Sequence, residues 1–202
     1  SKKSVSNIPD QILSSIFFAD DALKEFINEY KKRDDFNNTI FIITGDHGMN
    51  LNISEGLFEN FRVPLVIYSS LSNENQCFKG MCSHIDILPS LCALLENNYN
   101  FNFVKQKHWL GAGLDTSRNF NANRFIPMEI SSLDLPNFIL NNQLYLNHKI
   151  FTIKDNLITE EQTNQSTINS MKSFYGAYKY LNNYVSIENK IYPKKNSKIK
   201  TH

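Results

Sequence analysis

The sequence predicts an α/β fold, namely part of a doubly wound, mostly parallel sheet followed by a small antiparallel C-terminal subdomain. Two apolar runs without polar alternation, residues 39–44 and 63–68, are typical of strands buried on both faces of a parallel sheet. A helical pattern precedes the first run, and another follows the second. Residues 124–130 and 143–153 resemble strands, and the alternation within the second favours an antiparallel unit.

The first helix is predicted over residues 12–30, because apolar side chains recur there at spacings of three and four. Aspartates and asparagines between positions 34 and 38 then end the pattern as a loop. The β-branched and aromatic run 39–44 follows directly as a strand. Pro64 is compatible with the second strand, since it stands near the beginning of that run.

The second helix is predicted from Asp86 through Leu95, with its leucines on one face. Proline is tolerated only in the first turn of a helix, so Pro89 fixes the start and makes Asp86 the best N-cap. His84 is therefore expected in the loop just before this helix.

After Glu96 the sequence becomes polar, and residues 97–123 are predicted to form a long surface connection. The expected domains are residues 1–123, a partial α/β domain, and residues 124–202, a small α+β subdomain with a basic tail.

A last helix is predicted over residues 168–184. The tail is interpreted as a solvated end rather than a phosphate- or lipid-binding arm. Its basic residues are Lys190, Lys194, Lys195, Lys198 and Lys200.

Overall charge and composition exclude several classes of function. The 202 residues hold 21 Lys plus Arg and 20 Asp plus Glu, so no global field attracts nucleic acid or an anionic membrane. No apolar run approaches the roughly 18 residues of a membrane-spanning helix, and the N-terminus lacks the apolar region of a signal peptide. The three cysteines form no C-x-x-C pair, so no zinc knuckle is predicted.

The residues most suited to chemistry follow the first predicted strand, in the sequence T-G-D-H-G. Ligands bind at the carboxyl ends of strands in an open parallel sheet, and adjacent Asp46 and His47 offer an oxygen and a nitrogen to one divalent cation. Gly45 and Gly48 would allow the sharp turn that brings both side chains to one place. The alternative is a structural turn in which Asp46 caps neighbouring amides and His47 is incidental.

Three motifs occur in order along the first half of the chain. They are A-D-D-A-L-K-E-F (19–26) leading to T-G-D-H-G (44–48), E-N-F-R-V-P (59–64) and S-H-I-D-I-L-P-S (83–90). Together they resemble the alkaline-phosphatase superfamily, in its sulfatase and lipoteichoic-acid-synthase-like branches. The resemblance covers roughly residues 12 to 95 and implies an alkaline-phosphatase-like sheet.

That resemblance implies a metal-dependent enzyme that attacks a phosphate or sulfate ester with a Thr, Ser or formylglycine nucleophile. Asp46 and His47 match the family's late metal-ligand pair, and one divalent cation is implied, with manganese, zinc, magnesium and calcium left open. No residue before Asp46 matches the family's nucleophile motifs. The nucleophile is therefore expected upstream of Ser1, and the chain is expected to be the C-terminal portion of a larger enzyme.

Two further positions are weaker candidates for substrate binding. His84 matches a motif position where relatives place substrate-facing residues, although a hydrogen-bonded structural histidine is the preferred interpretation. Arg62 precedes V-P and is interpreted as structural, pairing with Glu59 or another acid, rather than as an anion clamp. Glu55 is by default a solvated loop carboxylate, with a supporting role near the metal pair as the alternative.

The substrate prediction depends on a missing lysine. Typical sulfatases carry a lysine between the late metal pair and the E-x-x-R-V-P motif, and residues 49–58 contain none. The resemblance therefore favours a phospho-alcohol ester, of the phosphoglycerol type, over a sulfate ester. A sulfatase is the alternative within the family, and a catalytically inactive binding or structural module is the alternative from another class.

The family resemblance also implies partners and a location. A lipid or glycan phosphoester is the expected substrate, and no nucleic acid is expected. Membrane attachment is expected through an N-terminal region that this sequence lacks. The expected location is the extracytoplasmic face of a bacterial cytoplasmic membrane or the periplasm.

Overall fold

The computed structural model describes residues 8–48, 57–58, 61–72, 75–103, 109–128 and 137–187. The chain divides into two compact units, Ser1–Cys77 and Phe78–His202. This division does not coincide with the boundary predicted after residue 123. Compact units are defined by contacts and domains by independent folding, so the domain boundary stays a prediction.

The first unit contains one long helix and two strands, α1 (Asp10–Tyr30), β1 (Phe41–Thr44) and β2 (Leu65–Tyr68). The predicted first helix and both predicted strands are confirmed to within a few residues. Phe41 of β1 is buried, and its ring meets that of Tyr30 edge-on with 4.9 Å between centroids. This aromatic contact attaches α1 to the strand that leads to T-G-D-H-G.

The two strands pair antiparallel, with Phe41 opposite Tyr68 and Thr44 opposite Leu65. The predicted parallel sheet is therefore not shown, and both sheets formed by the described residues are antiparallel. Burial of β2 on both faces was a wrong prediction, since Val66 and Ile67 are 50% and 49% exposed. An apolar run indicates that a strand has surface to bury, but it carries no information about the direction of its partner.

The second unit begins with a 3-10 turn, His84–Asp86, that leads into α2 (Ile87–Tyr99). A five-stranded antiparallel meander and a long helix follow. Their bounds are β3 (Phe125–Met128), β4 (Asn137–Leu140), β5 (Gln143–Leu146), β6 (Lys149–Ile153), β7 (Thr159–Glu161) and α3 (Gln165–Ile187). The predicted small antiparallel unit is confirmed, and so is the helix predicted over 168–184.

One predicted strand is in fact a hairpin. Residues 143–153 form β5 and β6, joined at Asn147 and His148, which have φ values of 49° and 65°. Both lie in the left-handed region, which suits the tightest hairpin turns and which asparagine and histidine tolerate better than most residues. The continuous alternation hid this turn because neither residue is glycine.

The core of the second unit lies between the meander and α3. Phe138 and Leu144 are fully buried, and the ring of Phe138 lies 5.0 Å from that of Phe174 on α3. Met171 is 3% exposed and belongs to the same cluster. The helix starts after Asn164, whose side-chain oxygen accepts the N–H of Thr167, as an N-cap does.

The described part of the predicted surface connection, residues 97–103 and 109–123, is tied to the chain before α2. The N–H of Lys79 donates to the Ser117 carbonyl at 2.8 Å, and that of Met81 to the Asn121 carbonyl at 2.7 Å. Gly111 lies so close to the 3-10 turn that a Cβ there would be 2.1 Å from the carbonyl oxygen of Ile85. The described residues 109–123 form no helix or strand and only Ala122 among them is buried, as predicted for a surface connection, but hydrogen bonds hold the segment against the chain before α2.

Two glycine substitutions should change stability in opposite directions. Gly111→Ala forces a methyl group onto the Ile85 carbonyl, and such overpacking costs about 1–3 kcal/mol. Gly176 lies within α3, where an added Cβ would meet nothing within 4 Å, so Gly176→Ala should gain about 1 kcal/mol from helix propensity. Denaturant unfolding followed by circular dichroism measures both, and a stabilised Gly111→Ala protein would contradict this packing.

Candidate metal centre

Asp46 and His47 stand immediately after β1, which ends at Thr44. A Cβ at Gly45 would lie 3.4 Å from Cγ1 of Val63, an ordinary van der Waals contact, so the structure does not require glycine there as the sequence predicted. The side chains of Asp46 and His47 extend from this turn into solvent. Their exposed fractions are 90% for Asp46 and 79% for His47.

Local hydrogen bonds orient both side chains. Asp46 Oδ1 accepts the backbone N–H of His47 at 2.9 Å, and His47 Nδ1 lies 2.9 Å from the carbonyl oxygen of Gly48. A carbonyl oxygen can only accept, so this contact assigns the proton of the neutral ring to Nδ1 and leaves a lone pair on Nε2. Nε2 and Asp46 Oδ2 lie 3.7 Å apart. The acceptor nitrogen of the ring thus lies near a carboxylate oxygen, and a cation bound by both atoms would stabilise the pair.

The two atoms fit part of a metal site. Ligands about 2.0–2.2 Å from one ion are about 3–3.4 Å apart at octahedral or tetrahedral angles. The observed 3.7 Å between Oδ2 and Nε2 is only slightly longer than that separation. The described residues contain no group of three or more His, Cys, Asp or Glu side chains able to hold a metal. If they bind a metal as predicted, Asp46 and His47 would supply two of the roughly four ligands that a tight site needs.

The contact from Nδ1 to a backbone carbonyl is the usual support of a metal-binding histidine. The hydrogen bonds of this turn also agree with the alternative of a structural turn, because Asp46 Oδ1 accepts the backbone N–H of His47. The geometry therefore brings the predicted pair together without deciding its role, and the metal-ligand assignment stays a prediction.

His84 lies in the second unit, so the structure does not place it in the same compact unit as Asp46 and His47. It is the exposed first residue of the 3-10 turn that directly precedes α2, so it stands just before the helix as predicted, in a helical turn rather than a loop. Asp86 directly precedes α2, as predicted for the N-cap. Its side chain reaches back to accept the N–H of Ser83 at 2.8 Å, which closes a capping box around the turn.

Arg62 has an exposed side chain in the first unit, and its backbone N–H donates to the Phe58 carbonyl at 2.9 Å. Its predicted partner Glu59 lies outside the described residues, as does Glu55. The roles of Arg62 and His84 in substrate binding therefore stay predictions.

The comparison with protein families bears directly on the three motifs. Residues 3–97 match the family model described as Sulfatase. This part of the chain is sulfatase-like. The match covers just under half of the sequence and supports the predicted resemblance to sulfatase-like proteins of the alkaline-phosphatase superfamily, whose members are hydrolases and transferases that generally use divalent metal ions.

Other comparisons add no relative. No curated protein and no solved structure matches the chain. Within the described residues, none of the helices combines the length and apolar character needed to cross a bilayer.

The sulfatase-like segment ends within α2, yet its Asp86 depends on a residue beyond it. Asp86 is 3% exposed, and its Oδ1 accepts the N–H of Ala112 at 2.8 Å. Nη1 of Arg124 lies 3.6 Å from the Asp86 Oδ2 and donates to the Met81 carbonyl at 2.9 Å. Nη2 of Arg124 donates to the Gly113 carbonyl at 2.6 Å. Arg124 thus holds the turn that carries His84.

Asp115 and Cys82 extend this polar cluster. Ser117 donates its hydroxyl and its amide to Asp115, and these hydrogen bonds hold the pKa of the carboxyl below its usual range. Burial raises the pKa of the Cys82 thiol, whose sulfur accepts the N–H of Asp115 at 3.0 Å. A neutral, half-buried thiol is structural in character, because reactive cysteines have a lowered pKa. No short motif marks the contact of Asp115 with Cys82 or that of Arg124 with Met81, which join residues 33 and 43 positions apart.

Proposed function

We propose that this chain is the C-terminal part of a metal-dependent transferase or hydrolase acting on a phospho-alcohol ester, of the phosphoglycerol type. The observation that supports it most is the pair Asp46 Oδ2 and His47 Nε2, 3.7 Å apart at the end of β1 in the sulfatase-like segment. A carboxylate and a neutral imidazole are ligands for zinc and manganese, and a carboxylate alone also suits magnesium and calcium.

Incomplete burial of the first unit supports a larger catalytic domain. No residue of α1 is buried, and three of the four residues of β2 are 38–50% exposed. Apolar surface of this extent is normally covered by further chain or by a partner. Polypeptide upstream of Ser1 would cover it and would bring the nucleophile and the remaining metal ligands.

The residues of this chain would bind the metal ion and orient its ligands, and none of them would attack the ester as the nucleophile. Asp46 and His47 would hold the cation at the strand end, and the Gly48 carbonyl would keep the Nδ1 proton in place so that Nε2 faces the metal. When bound, a divalent ion activates a nucleophile and neutralises charge on the transferred group.

The substrate is chosen by the contacts to its non-bridging oxygens. A sulfate monoester and a phosphodiester are both monoanions, so net charge separates them poorly. Residues 49–58 contain no lysine, so the site lacks one cation that contacts the sulfate group in typical sulfatases. One such preorganised group is worth about 2.7–4 kcal/mol of transition-state binding, so its absence where sulfatases carry it argues against a sulfate ester as the substrate. The description of the matching family favours a sulfatase as the second candidate.

A lipid or glycan phosphoester is the proposed substrate, with no nucleic acid partner. Attachment to the membrane is proposed through the upstream region. The proposed location is accordingly the extracytoplasmic face of the cytoplasmic membrane or the periplasm of a bacterium.

A competition assay on the full-length protein tests this function. Offered an aryl sulfate and a glycerophospholipid together, the protein should transfer or release the phospho-alcohol head group in preference to sulfate. Phosphoglycerol release by mass spectrometry and sulfate release by ion chromatography measure the two reactions.

Rapid sulfate release without head-group transfer would contradict the phosphoester assignment and establish the sulfatase. No turnover of either substrate, in a full-length protein whose upstream sequence has no Thr, Ser or Cys nucleophile, would instead establish the inactive module.

A further inference from the structure

The loop between α1 and β1 contains an acceptor sequence for N-linked glycosylation. Residues 37–39 read N-N-T, which fits the pattern of an asparagine, any residue but proline, and then a serine or threonine. The same pattern occurs at residues 52–54 and 164–166. Residues 52–54 lie outside the described part of the chain, so the structure compares Asn37 with Asn164.

Asn37 is exposed, in the middle of the short 3-10 helix Phe36–Asn38 that follows α1. The five residues 31–35 before this helix are all charged. Charged side chains resist burial, so this loop stays in water even where further chain covers the apolar parts of the first unit. A modifying enzyme can therefore reach Asn37 in the folded protein.

The loop can present its acceptor sequence at small cost. An enzyme must bind the three residues as a peptide, so the turn around them has to open. The backbone N–H of Asn38 donates to the Asp35 carbonyl at 2.9 Å, and that of Thr39 to the Phe36 carbonyl at 3.2 Å. The Thr39 hydroxyl donates to the same Asp35 carbonyl at 2.8 Å. Such a short 3-10 helix has poorer hydrogen bonds than an α-helix, and exposed bonds of this kind open locally without global unfolding.

Asn164 is held much more firmly. Its side-chain oxygen accepts the N–H of Thr167 at 3.1 Å, and its backbone carbonyl accepts the N–H of Ile168 at 3.0 Å. Ser166, the third residue of its acceptor sequence, already belongs to α3. Presenting this sequence would unwind the first turn of a helix that packs on the meander.

An acidic residue separates the candidates in a second way. Asp35 stands two positions before Asn37, where bacterial oligosaccharyltransferases bind an acidic side chain. At that place before the other two asparagines the chain has the uncharged residues Asn50 and Gln162. Asp35 is paired with Arg33 through two hydrogen bonds of 2.9 Å, but its side chain is 50% exposed. Exposed ion pairs are weak, so the carboxylate can exchange this partner for one on an enzyme.

We propose that Asn37 is glycosylated by an oligosaccharyltransferase, with an oligosaccharide joined to a lipid through pyrophosphate as the donor. The Asn37 Nδ2 forms a bond to C1 of the first sugar, and the bond from C1 to the pyrophosphate oxygen breaks. One proton of Nδ2 passes to a base of the enzyme, and the lipid pyrophosphate leaves with the electron pair of the broken bond. The proposal rests on the proposed function for its location, because such donors are used on the extracytoplasmic side of the membrane.

Mass spectrometry of the full-length protein purified from its own cells tests the proposal. Peptide fragmentation should find a glycan on Asn37 and none on Asn164. Asn37→Gln and Thr39→Val should both lose the glycan, the second with the asparagine still present. Thr39→Ser keeps the hydroxyl and should keep the glycan. Circular dichroism checks that these variants at an exposed loop remain folded.

Two further measurements separate this proposal from the proposed reaction and its location. Asp46→Asn should carry the glycan, since occupancy is read by mass and needs no turnover of a phosphoester. A purified bacterial oligosaccharyltransferase, supplied with a lipid-pyrophosphate oligosaccharide, should modify Asn37 of the folded protein and leave Asn164 unmodified.

An unmodified Asn37 in the protein from its own cells would overturn the proposal. If the purified enzyme modifies that same protein, the error lies in the proposed location; if it does not, the error lies in the acceptor loop. A glycan that persists in Thr39→Val, or equal modification of Asn164, would also overturn the proposal.

Discussion

Replacing Asp46 with alanine in the full-length protein should reduce turnover by roughly a thousandfold or more. If Asp46 is a metal ligand, the variant loses charge stabilisation worth several kcal/mol, and each 1.36 kcal/mol corresponds to about a factor of ten in rate. The side chain is 90% exposed, so its removal should leave the folded structure intact. Turnover of the glycerophospholipid and circular dichroism of the variant measure the two effects.

Asp46→Asn separates the metal role from the structural turn. Asparagine keeps an oxygen that can accept the His47 N–H, which Asp46 Oδ1 accepts at 2.9 Å, but it carries no charge for a cation. We therefore expect Asp46→Asn to be nearly as inactive as Asp46→Ala. Asp34→Ala, at an exposed aspartate of the same unit, should keep full turnover. An active Asp46→Asn enzyme would show that Asp46 only caps the turn.

Replacing Arg124 with methionine should destabilise the second unit by about 3–5 kcal/mol, the usual effect of removing one partner from a buried ion pair. The side chains of Arg124 and Asp86 are only 13% and 4% exposed. The variant leaves the Asp86 carboxylate buried beside an apolar chain, and it leaves the Met81 and Gly113 carbonyls without their guanidinium donor. Denaturant unfolding of the second unit measures the loss.

Arg33→Met is the matched control for this pair. Arg33 binds Asp35 through two hydrogen bonds of 2.9 Å, a better geometry than that of the buried pair. Its side chain is nevertheless 59% exposed, and exposed pairs add little to stability, so the denaturation midpoint should hardly move. Arg124→Lys should not restore the wild-type value, because one ammonium group does not reproduce the planar fork. Equal effects of Arg33→Met and Arg124→Met would contradict the structural importance of the buried pair.

Periodicity located most of the elements in advance. The helical spacing of residues 12–30 and the proline rule at Pro89 placed the beginnings of α1 and α2 within two residues of those observed. Hydrophobic patterns succeed here because a helix or strand must bury one face wherever it lies in the fold. Strand direction was not predictable, because apolar runs such as residues 39–44 and 63–68 suit a parallel or an antiparallel neighbour.

The polar cluster around Asp86 shows what a single sequence cannot specify. Asp86 was identified from its position before Pro89, but its partner Arg124 stands 38 positions later, just after the segment predicted as a surface connection. Charge pairs can be inferred at helical spacings of three or four and not across such a distance. The Asp46–His47 pair was identified for the opposite reason, since two adjacent ligand residues after an apolar strand form a local pattern.

The metal content of the purified full-length protein tests the central proposal most directly. Plasma mass spectrometry should find about one tightly bound divalent ion per chain in the wild type. It should find a large loss in Asp46→Asn and in His47→Gln, and no loss in Asp34→Ala. Full retention of the metal in both ligand variants would show that Asp46 and His47, 3.7 Å apart at the end of β1, do not form a metal site.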